Sequence, residues 1–378
     1  MAGVRLVNVS KSFDRVNAVS DVSLTIEDGE FFTLLGPSGC GKTTTLRMIA
    51  GLERPTSGKI FIGDRDVTDL PPKARNVAMV FQNYALYPHM TVAENIGYPL
   101  RIRNKPPKEV EKRTLDVARS LAIADLLRRR PAEISGGQQQ RAALARAIVH
   151  EPNVFLFDEP LSNLDAKLRT DARTFLKHLQ QTLGITTVYV THDQSEAMAM
   201  SDRIAVMNKG KVVQIGPPLE VYRHPANTFV AEFLGNPPMN LVSGKYDVVD
   251  GKPAVVVDGS RVPLPQGQPG LDRVVPGTDV ILGIRPEDLT LELGEEGDKA
   301  GEGHRNAPEG TGLEGILGEV FVVEPLGYET LISVKTRAGT VKVKTFEDLD
   351  LTPGRPVRLV PSPRRLRLFD AQGERIFC

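Results

Sequence analysis

The first part of the chain alternates short apolar runs with longer stretches in which apolar residues recur every three or four positions. The apolar runs include "FFTLL", "NVFLF" and "ITTVYVT". Runs of this length without an alternating polar face are typical of strands buried on both sides of a parallel sheet. The amphipathic stretches between them predict helices on the faces of that sheet. The pattern therefore predicts an α/β domain with a mostly parallel sheet.

Between about residues 84 and 150 the apolar runs give way to helical patterns. Thr91 and Glu94 have the spacing of a capping box at a helix N-terminus. The stretches "KEVEKRTLDVARSLAI" and "QQQRAALARAIVH" predict two further helices. We expect this region to be a helical subdomain inserted between two strands of the sheet.

A second change of pattern follows "LGNPPMN", where Pro237 and Pro238 prevent a helix from continuing. Short strands punctuated by glycine and proline come next, among them "DVILGI", "TVKVKT", "PVRLVP" and "RLRLF", which is typical of a small barrel or sandwich. We predict two domains, residues 1–235 and 236–378. In the second domain we expect a mobile loop at the polar, glycine-rich segment 294–312.

Composition narrows the class of protein only slightly. The 378 residues include 47 basic and 47 acidic side chains, so the zero formal charge does not favour long-range attraction to nucleic acid or anionic lipid. The two cysteines provide no disulfide framework and fit a reducing compartment. We expect neither a signal peptide nor a membrane-spanning helix. Work at a membrane would then depend on another protein.

The segment "GPSGCGKT", residues 36–43, fits a phosphate-binding loop between a strand and a helix, and we call it the phosphate loop. Its glycines let backbone N–H groups surround phosphate oxygens, Lys42 supplies a positive charge, and the Thr43 hydroxyl can bind Mg²⁺. The residues expected to hold the phosphates of a nucleotide are Gly36, Pro37, Ser38, Gly39, Cys40, Gly41, Lys42, Thr43 and Thr44.

Polar residues also follow two other predicted strands. Asp158 and Glu159 come directly after "NVFLF", and His192 follows "ITTVYVT". Adjacent carboxylates at the end of a buried strand repel each other and need a cation or a polar cleft. We therefore expect Asp158 to hold Mg²⁺ and Glu159 to orient or deprotonate an attacking water. We interpret His192 as a contact to the terminal phosphate, and the neighbouring Asp193 and Glu196 as a capping box.

Two further candidates have plainer alternatives. Gln82 follows a short apolar strand, so its amide could complete the Mg²⁺ shell and report metal occupancy to the helical subdomain. Phe13 could stack on a purine ring, but an aromatic residue near an N-terminal strand belongs to the core at least as often.

The segment "ISGGQ", residues 134–138, is a second glycine-containing start of a helix, and we call it the signature segment. Ser135 and Gln138 alone fit a capping box. The pair Gly136 and Gly137 costs backbone entropy unless something approaches the backbone closely, and a helix N-terminus with a serine suits a phosphate. Because the signature segment and the phosphate loop lie in different subdomains, we expect that one chain cannot close both on one nucleotide.

These segments occur in the order and spacing of the ATP-binding cassette (ABC) ATPases, which roughly residues 3–235 resemble closely. Ile134 stands where the family usually has leucine. The resemblance implies a P-loop NTPase cassette with a helical subdomain, followed by an all-β, OB-like (TOBE/MOP-type) C-terminal domain. It implies ATP and Mg²⁺ as cofactors, Phe13 stacked on adenine, and a head-to-tail homodimer with residues 162–165 at the seam. The residues that would contact ATP held by the other subunit are Ser135, Gly136, Gly137, Gln138 and Asp165.

The C-terminal part, with "GNPPMN" and "LGIRPEDL", resembles the ATPase subunits of carbohydrate importers. That resemblance implies a homodimer on the cytoplasmic side of the cell membrane, with two integral-membrane permeases and an extracytoplasmic solute-binding protein. The segment that begins at Tyr84 and ends at Asn95, here the docking segment, would dock a permease helix; the alternative is that it only caps and packs its own helix. The C-terminal domain could also bind a regulator.

Two alternatives to sugar import stay open. One is an importer ATPase for another solute, such as glycerol phosphate, a polyamine or iron. The other is a soluble ABC ATPase that remodels nucleic acid or ribosomes. The single cassette and the neutral charge favour the importer, so we expect no nucleic-acid partner.

Overall fold

The computed structural model describes residues 2–249, 251–293, 315–347 and 349–377. The predicted mobile loop at residues 294–312 lies outside the described residues. The chain forms two compact units, Met1–Leu219 and Glu220–Cys378. The boundary predicted after residue 235 falls inside the second unit.

The first unit is built from alternating strands and helices. Its strands are β1 (Val4–Phe13), β2 (Val16–Ile26), β3 (Phe31–Leu35), β4 (Ser57–Ile62), β5 (Arg65–Asp66), β6 (Val77–Val80), β7 (Val154–Asp158), β8 (Thr186–Thr191), β9 (Arg203–Asn208) and β10 (Lys211–Gly216). Its helices are α1 (Lys42–Ala50), α2 (Pro72–Arg75), α3 (Val92–Ile102), α4 (Pro107–Ser120), α5 (Gly136–Ile148), α6 (Ala166–Leu183) and α7 (Gln194–Met200).

The centre of the first unit is a six-stranded sheet in the order β10-β9-β3-β8-β7-β6. The pairs β3–β9, β3–β8, β7–β8 and β6–β7 are parallel, whereas β10 pairs antiparallel with β9 at one edge. Successive residues of β3 enter different cores: Phe31 packs with the helical region, and Phe32 packs with α1 and the N-terminal strands. A mostly parallel sheet buried on both faces is therefore confirmed.

A second, four-stranded sheet has the order β2-β1-β4-β5 and is antiparallel throughout. The sequence analysis did not predict it. Its inward positions, such as Val22, Leu24 and Ile26 of β2, alternate with exposed residues. They join the core that covers one face of the central sheet.

The helical region lies between β6 and β7 and contains α3, α4 and α5. The capping box predicted at the start of α3 is present. The Glu94 N–H donates to the Thr91 hydroxyl over 3.2 Å, and the Thr91 N–H donates to the Glu94 carboxylate over 2.8 Å. Because β6 and β7 are neighbouring parallel strands, the whole helical region is a long crossover between them.

The second unit is rich in β-strands, as predicted. Its strands are β11 (Asn240–Val249), β12 (Lys252–Val257), β13 (Ser260–Pro263), β14 (Asp279–Ile284), β15 (Leu289–Leu293), β16 (Ile316–Pro325), β17 (Thr330–Thr336), β18 (Gly339–Thr345), β19 (Pro356–Pro361), β20 (Arg367–Phe369) and β21 (Arg375–Phe377). They form two antiparallel sheets, β13-β12-β11-β14-β20-β21 and β15-β19-β16-β17-β18. Both sheets contribute side chains to one hydrophobic core.

Two short helices, α8 (Pro218–Arg223) and α9 (Thr228–Phe233), precede these strands. Arg285, which follows β14 and is buried, donates to the carbonyl oxygens of Tyr222 over 2.7 Å and Ala231 over 3.1 Å, and also to that of Leu234. Its guanidinium carbon lies 3.9 Å from the centre of the Tyr222 ring. These contacts explain why α9 and most of α8 belong to the second unit.

We predict that Arg285→Ala loosens α9, because the substitution removes the donor to three backbone carbonyls. A loss on the order of 3 kcal/mol in local stability is expected, since each hydrogen bond from a charged group contributes roughly 1.5–3 kcal/mol. Hydrogen exchange of the α9 amides in the full chain measures this. Arg337→Ala, at an exposed position of the same unit, is the control and should leave those amides unchanged. Equal exchange in the two variants would contradict the assignment.

Candidate functional site

The register of the central sheet brings the predicted site residues to one edge. Leu35 at the end of β3 is the partner of Thr191 at the end of β8. Asp158 at the end of β7 is the partner of Val190, and Val80 at the end of β6 is the partner of Phe157. The residues that directly follow these strands therefore share the carboxyl edge of the sheet, where parallel sheets bind ligands.

The phosphate loop connects β3 to α1 as predicted. Lys42 is buried at the first position of α1, and its ammonium donates to the carbonyl oxygens of Gly36 over 2.7 Å and Pro37 over 3.0 Å. Gly41 has a φ of 104°, and a Cβ there would lie 2.5 Å from the Ala18 carbonyl oxygen, so only glycine fits. Ser38 is exposed at the tip of the loop. The loop thus holds a positive charge at the N-terminus of a helix, which suits an anion.

Thr43 and Asp158, two of the residues predicted to bind Mg²⁺, are in contact. The Thr43 hydroxyl donates to Asp158 Oδ1 over 3.0 Å. Burial raises the pKa of the Asp158 carboxyl, the Thr43 hydrogen bond opposes this shift, and the negative charge of Glu159 adds to it. The Thr43 hydroxyl and the Asp158 carboxylate, whose charged form is disfavoured by burial, both offer oxygen ligands. Mg²⁺ prefers oxygen ligands, so the residues present fit that ion.

Gln82 lies at the same edge, two residues beyond β6. Its side chain is exposed. Its backbone carbonyl accepts a hydrogen bond of 3.0 Å from the side chain of Asn163, in the segment expected at the dimer seam. The sequence analysis did not identify Asn163 as a partner of Gln82, because nothing in the chain signals a contact between positions so far apart. One indication was available: Asn163 lies four residues after Glu159, within the segment 162–165.

Glu159 and His192 form a pair. Glu159 Oε2 lies 3.0 Å from His192 Nδ1, with the Glu159 side chain 21% exposed and the His192 side chain 56% exposed. Glu159 has a φ of 48°, which is unusual for a residue with a side chain. Its N–H donates to the Val190 carbonyl over 3.0 Å, and its carbonyl accepts the Ser162 hydroxyl over 2.9 Å. These bonds fix a strained turn that directs the carboxylate toward His192, and strain of this kind is typical of functional sites.

The prediction of a capping box at the start of α7 was wrong in one part. Asp193 does cap the helix, accepting from the N–H groups of Ser195 and Glu196. The side chain of Glu196 instead turns inward, where it accepts from Tyr189 over 2.8 Å and Thr191 over 2.7 Å. Burial raises the pKa of this carboxyl. The hydroxyls of Tyr189 and Thr191 bind the Glu196 carboxylate in place of the backbone N–H at the start of α7. The resulting hydrogen-bond network supports the turn that carries His192.

Phe13 ends β1, at the hairpin that leads into β2. Its ring is 43% exposed, and the Lys11 ammonium lies 4.6 Å from the ring centre. Ala18, a short distance along β2, approaches Gly41 of the phosphate loop. An exposed aromatic ring on a hairpin that reaches this loop is not a core residue, and it can serve as a stacking platform.

The signature segment begins α5 with the predicted capping box. The Ser135 N–H donates to the Gln138 side chain over 2.9 Å, and Ser135 Oγ accepts from the Gln138 N–H over 3.4 Å. A Cβ at Gly137 would meet no atom within 4 Å, and one at Gly136 would lie 3.7 Å from Leu164. Neither glycine has a positive φ. The packing and backbone of this chain therefore do not require glycine at either position.

The structure does not bring all of the predicted residues together. Lys42, Thr43, Asp158, Glu159 and His192 lie on or beside the phosphate loop at the sheet edge. Within the part of the chain that the structure describes, no hydrogen bond joins the signature segment to residues 36–44. Asp165 lies at a third place, as the N-cap of α6, where it accepts from the Leu168 N–H over 2.9 Å.

The docking segment is ordered by a buried amide. The Asn95 side chain accepts from the Tyr87 N–H over 2.8 Å and donates to the carbonyls of Tyr87 over 3.1 Å and Thr91 over 3.0 Å. Tyr87 and His89 are exposed on this framework. Of the described helices, none is both long enough and apolar enough to cross a membrane.

Three family descriptions match the chain. Residues 19–162 match the family described as ABC transporter. Residues 235–289 match the MalK OB fold domain, and residues 282–369 match the TOBE domain. The first match contains the phosphate loop, the signature segment and the Asp158–Glu159 pair, and the other two lie in the second unit.

Several curated proteins are similar over almost their whole length. The chain is 48% identical to the trehalose/maltose import ATP-binding protein MalK of Thermococcus litoralis, covering 100% of both chains. It is 46% identical to the sn-glycerol-3-phosphate import ATP-binding protein UgpC 2 of Agrobacterium fabrum, covering 100% of this chain and 95% of that protein.

A solved structure supports the same grouping. The chain is similar to the ATP-binding cassette MJ0796, described as dimeric, in a post-hydrolysis state and bound to ADP and Pi. The TM-score is 0.52 and the sequence identity 34%, over 57% of this chain and 98% of that one. The portion covered is about the size of the first unit.

We predict that Asp158→Asn gains stability relative to the wild type as pH rises, in the absence of ligand. The folded-state pKa of Asp158 lies above its ordinary value of 3.8. The wild type therefore loses stability as pH rises from 3.8 through the folded-state pKa, whereas the asparagine variant does not. Urea denaturation from about pH 3 to about pH 8 checks this, because that range begins below the ordinary pKa of an aspartate. The contrast is Asp66→Asn, because hydrogen bonds from Thr68 lower the pKa of that exposed carboxyl, so its trend has the opposite sign. A difference independent of pH at Asp158 would contradict the burial of this charge.

Proposed function

The chain belongs to the ATP-binding cassette (ABC) transporter family and is an ABC-type ATPase, and from this premise we propose that it powers the import of a sugar or a sugar-like solute. The names of its relatives support this choice, since one imports trehalose or maltose and another sn-glycerol-3-phosphate. Glycerol phosphate is therefore the favoured alternative cargo. The MalK OB fold and TOBE matches in the second unit support the same group of importers.

In this proposal ATP is bound by residues 36–44, and Phe13 stacks on the adenine. Lys42 exchanges its contacts with the loop carbonyls for phosphate oxygens, which are stronger partners for an ammonium. Thr43 and Asp158 hold Mg²⁺, and Gln82 completes the set from the neighbouring strand. When bound, Mg²⁺ neutralises phosphate charge and orients the terminal phosphate. The close approach of the Thr43 hydroxyl and the Asp158 carboxylate supports this assignment.

Glu159 acts as the general base for the attacking water. Its carboxylate lies at the sheet edge beyond Asp158 and can accept the proton that the water loses. His192, 3.0 Å away, holds the carboxylate in place and contacts the terminal phosphate. The strained turn at Glu159 supports this role because it fixes the carboxylate before ATP arrives.

The observation that supports the proposal most directly is that the residues predicted to contact ATP lie in two separate parts of the first unit. The residues on the phosphate loop and the sheet edge form one half, and the open glycines of the signature segment form the other. We infer that two copies associate head to tail, so that the signature segment of one copy closes on ATP held by the other. Asp165, at the start of α6, lies at the seam in this arrangement.

The remaining partners follow from the importer role. The docking segment receives a cytoplasmic helix of a permease, with Tyr87 on its exposed surface, and the dimer serves two such permeases. An extracytoplasmic solute-binding protein delivers the cargo. The chain then lies on the cytoplasmic face of the cell membrane as a peripheral subunit. The second unit offers a surface for a regulator.

We predict that Glu159→Gln binds ATP but hydrolyses it at least about 100-fold more slowly, because the amide cannot accept the proton. The variant should accumulate as an ATP-bound dimer in the presence of Mg²⁺. Light scattering and steady-state phosphate release measure the two effects. Glu151→Gln, on an exposed side chain, is the control. Undiminished turnover in Glu159→Gln would refute the assignment of the base.

We predict that Gly137→Ala preserves or raises stability, by up to about 1 kcal/mol, because alanine favours a helix more than glycine does and the added methyl meets no neighbour in the chain. Hydrolysis should nevertheless fall severely, because the methyl occupies the space of the partner's phosphate. The contrasting control is Gly97→Ala, whose Cβ would lie 2.9 Å from Val110. That variant should lose stability and, while folded, still dimerise with ATP. Normal hydrolysis by Gly137→Ala would argue against a shared site.

A further inference from the structure

Arg146 joins α5 to the segment that follows Gln82. It lies in the last turn of α5, and its guanidinium donates from Nη1 to the Ala85 carbonyl over 2.7 Å and from Nη2 to the Tyr84 carbonyl over 2.9 Å. The same group lies 5.6 Å from the centre of the Tyr87 ring. One half-buried side chain thus holds three residues at the start of the docking segment.

The held segment has an unfavourable backbone conformation. Tyr84 has a φ of 60° and Ala85 a φ of 46°, so two consecutive residues with side chains adopt the left-handed conformation. The left-handed conformation is unfavourable for a residue that carries a Cβ. Two hydrogen bonds from a charged donor are of the size needed to offset that cost. Arg146 therefore stabilises this conformation, together with the local hydrogen bonds from the Tyr84 N–H to the Phe81 carbonyl over 2.9 Å and from the Ala85 N–H to the Asn83 carbonyl over 2.7 Å.

Arg146 and the signature segment occupy opposite ends of one rigid element. α5 runs from Gly136 to Ile148, a length of about 20 Å at 1.5 Å per residue. Its first turn carries the two glycines of the signature segment, and its last turn carries Arg146. A rotation of α5 at the first end must therefore move the guanidinium at the other end.

The loop is also tied on both sides of this contact. On the nucleotide side, Asn163 donates to the Gln82 carbonyl. On the other side, Asn95 holds Tyr87 through two hydrogen bonds, one from the Tyr87 N–H and one to the Tyr87 carbonyl. A movement of Arg146 would therefore displace the stretch between these two hydrogen-bonded positions, residues 83–86.

We propose that Arg146 is a positioning residue that transmits the closure of α5 on the partner's ATP to the docking segment. This inference rests on the shared site of the proposed function. Arg146 contacts neither nucleotide nor permease in this account, and it acts through the backbone of Tyr84 and Ala85. The sequence gives one indication of it, since it is a charged residue within the buried run "AALARAI".

The first test measures hydrogen exchange of the full chain without nucleotide. Arg146→Met should speed exchange of the Ala85 and Tyr87 amides by at least about tenfold, because the loop loses both charged hydrogen bonds. Arg146→Lys keeps the charge and should give an intermediate rate. The matched control is Arg141→Met, one turn earlier on α5, whose guanidinium reaches the Leu121 carbonyl and the Phe175 ring instead. Unchanged exchange in Arg146→Met would overturn the proposal.

The second test adds ATP and Mg²⁺ to the same variants in the Glu159→Gln background. Light scattering reports dimerisation, and hydrogen exchange of residues 83–90 reports the response of the loop. The parent and Arg141→Met should dimerise and change their exchange. Arg146→Met should dimerise without that change, and Arg146→Lys should restore part of it.

Two results of the second test would overturn the transmission. One is an Arg146→Met dimer whose loop responds as the parent's does, and the other is a parent that dimerises without any response in the loop. A parent that binds ATP and stays monomeric contradicts the shared site itself, and with it the transmission, whereas the first test still judges the contact between Arg146 and the loop. Should Arg146→Met fail to fold, Arg146→Lys serves in both measurements.

Discussion

The register of the parallel strands is the constraint on which the rest of the structure depends. β3, β7 and β8 are buried almost throughout, so no polar side chain can act until each strand ends. Because the strands are parallel, their ends meet at one edge. The phosphate loop, the Asp158–Glu159 pair and His192 come together there. The sheet thereby assembles a site from segments more than a hundred residues apart. The long crossover between β6 and β7 places the helical region beside the same edge.

In the proposed function, the helical region supplies the second half of the nucleotide site, which the sheet edge does not contain. Its signature segment carries two glycines that the packing and backbone of the chain do not require, while Arg146 at the opposite end of α5 binds the carbonyls of Tyr84 and Ala85. Both features make sense together if α5 is a lever that responds to a second copy.

The sequence predicted those parts of the fold and site that rest on local pattern. Buried apolar runs identified β3, β6, β7 and β8 of the central sheet but not β9 and β10, and glycine spacing identified the phosphate loop and the signature segment. The antiparallel sheet containing β1 and β2 was missed, and Glu196 was misread as a cap, because its choice of Tyr189 and Thr191 depends on tertiary packing. Arg146 and Arg285 act on backbone carbonyls far along the chain, and such acceptors carry no side-chain signal. Contacts of this kind can be found only once the fold is known.

The most direct test of the account is complementation between two defective chains in the Glu159→Gln background. One chain carries Lys42→Ala, which damages the phosphate loop, and the other carries Gly137→Asp, which damages the signature segment. A head-to-tail dimer of the two contains one site with both halves intact and one with both halves damaged. The account predicts that the mixture traps a single ATP per dimer, measured by filter binding with labelled ATP, whereas neither chain alone traps any. Trapping by either chain alone, or no trapping by the mixture, would contradict a site shared between two copies.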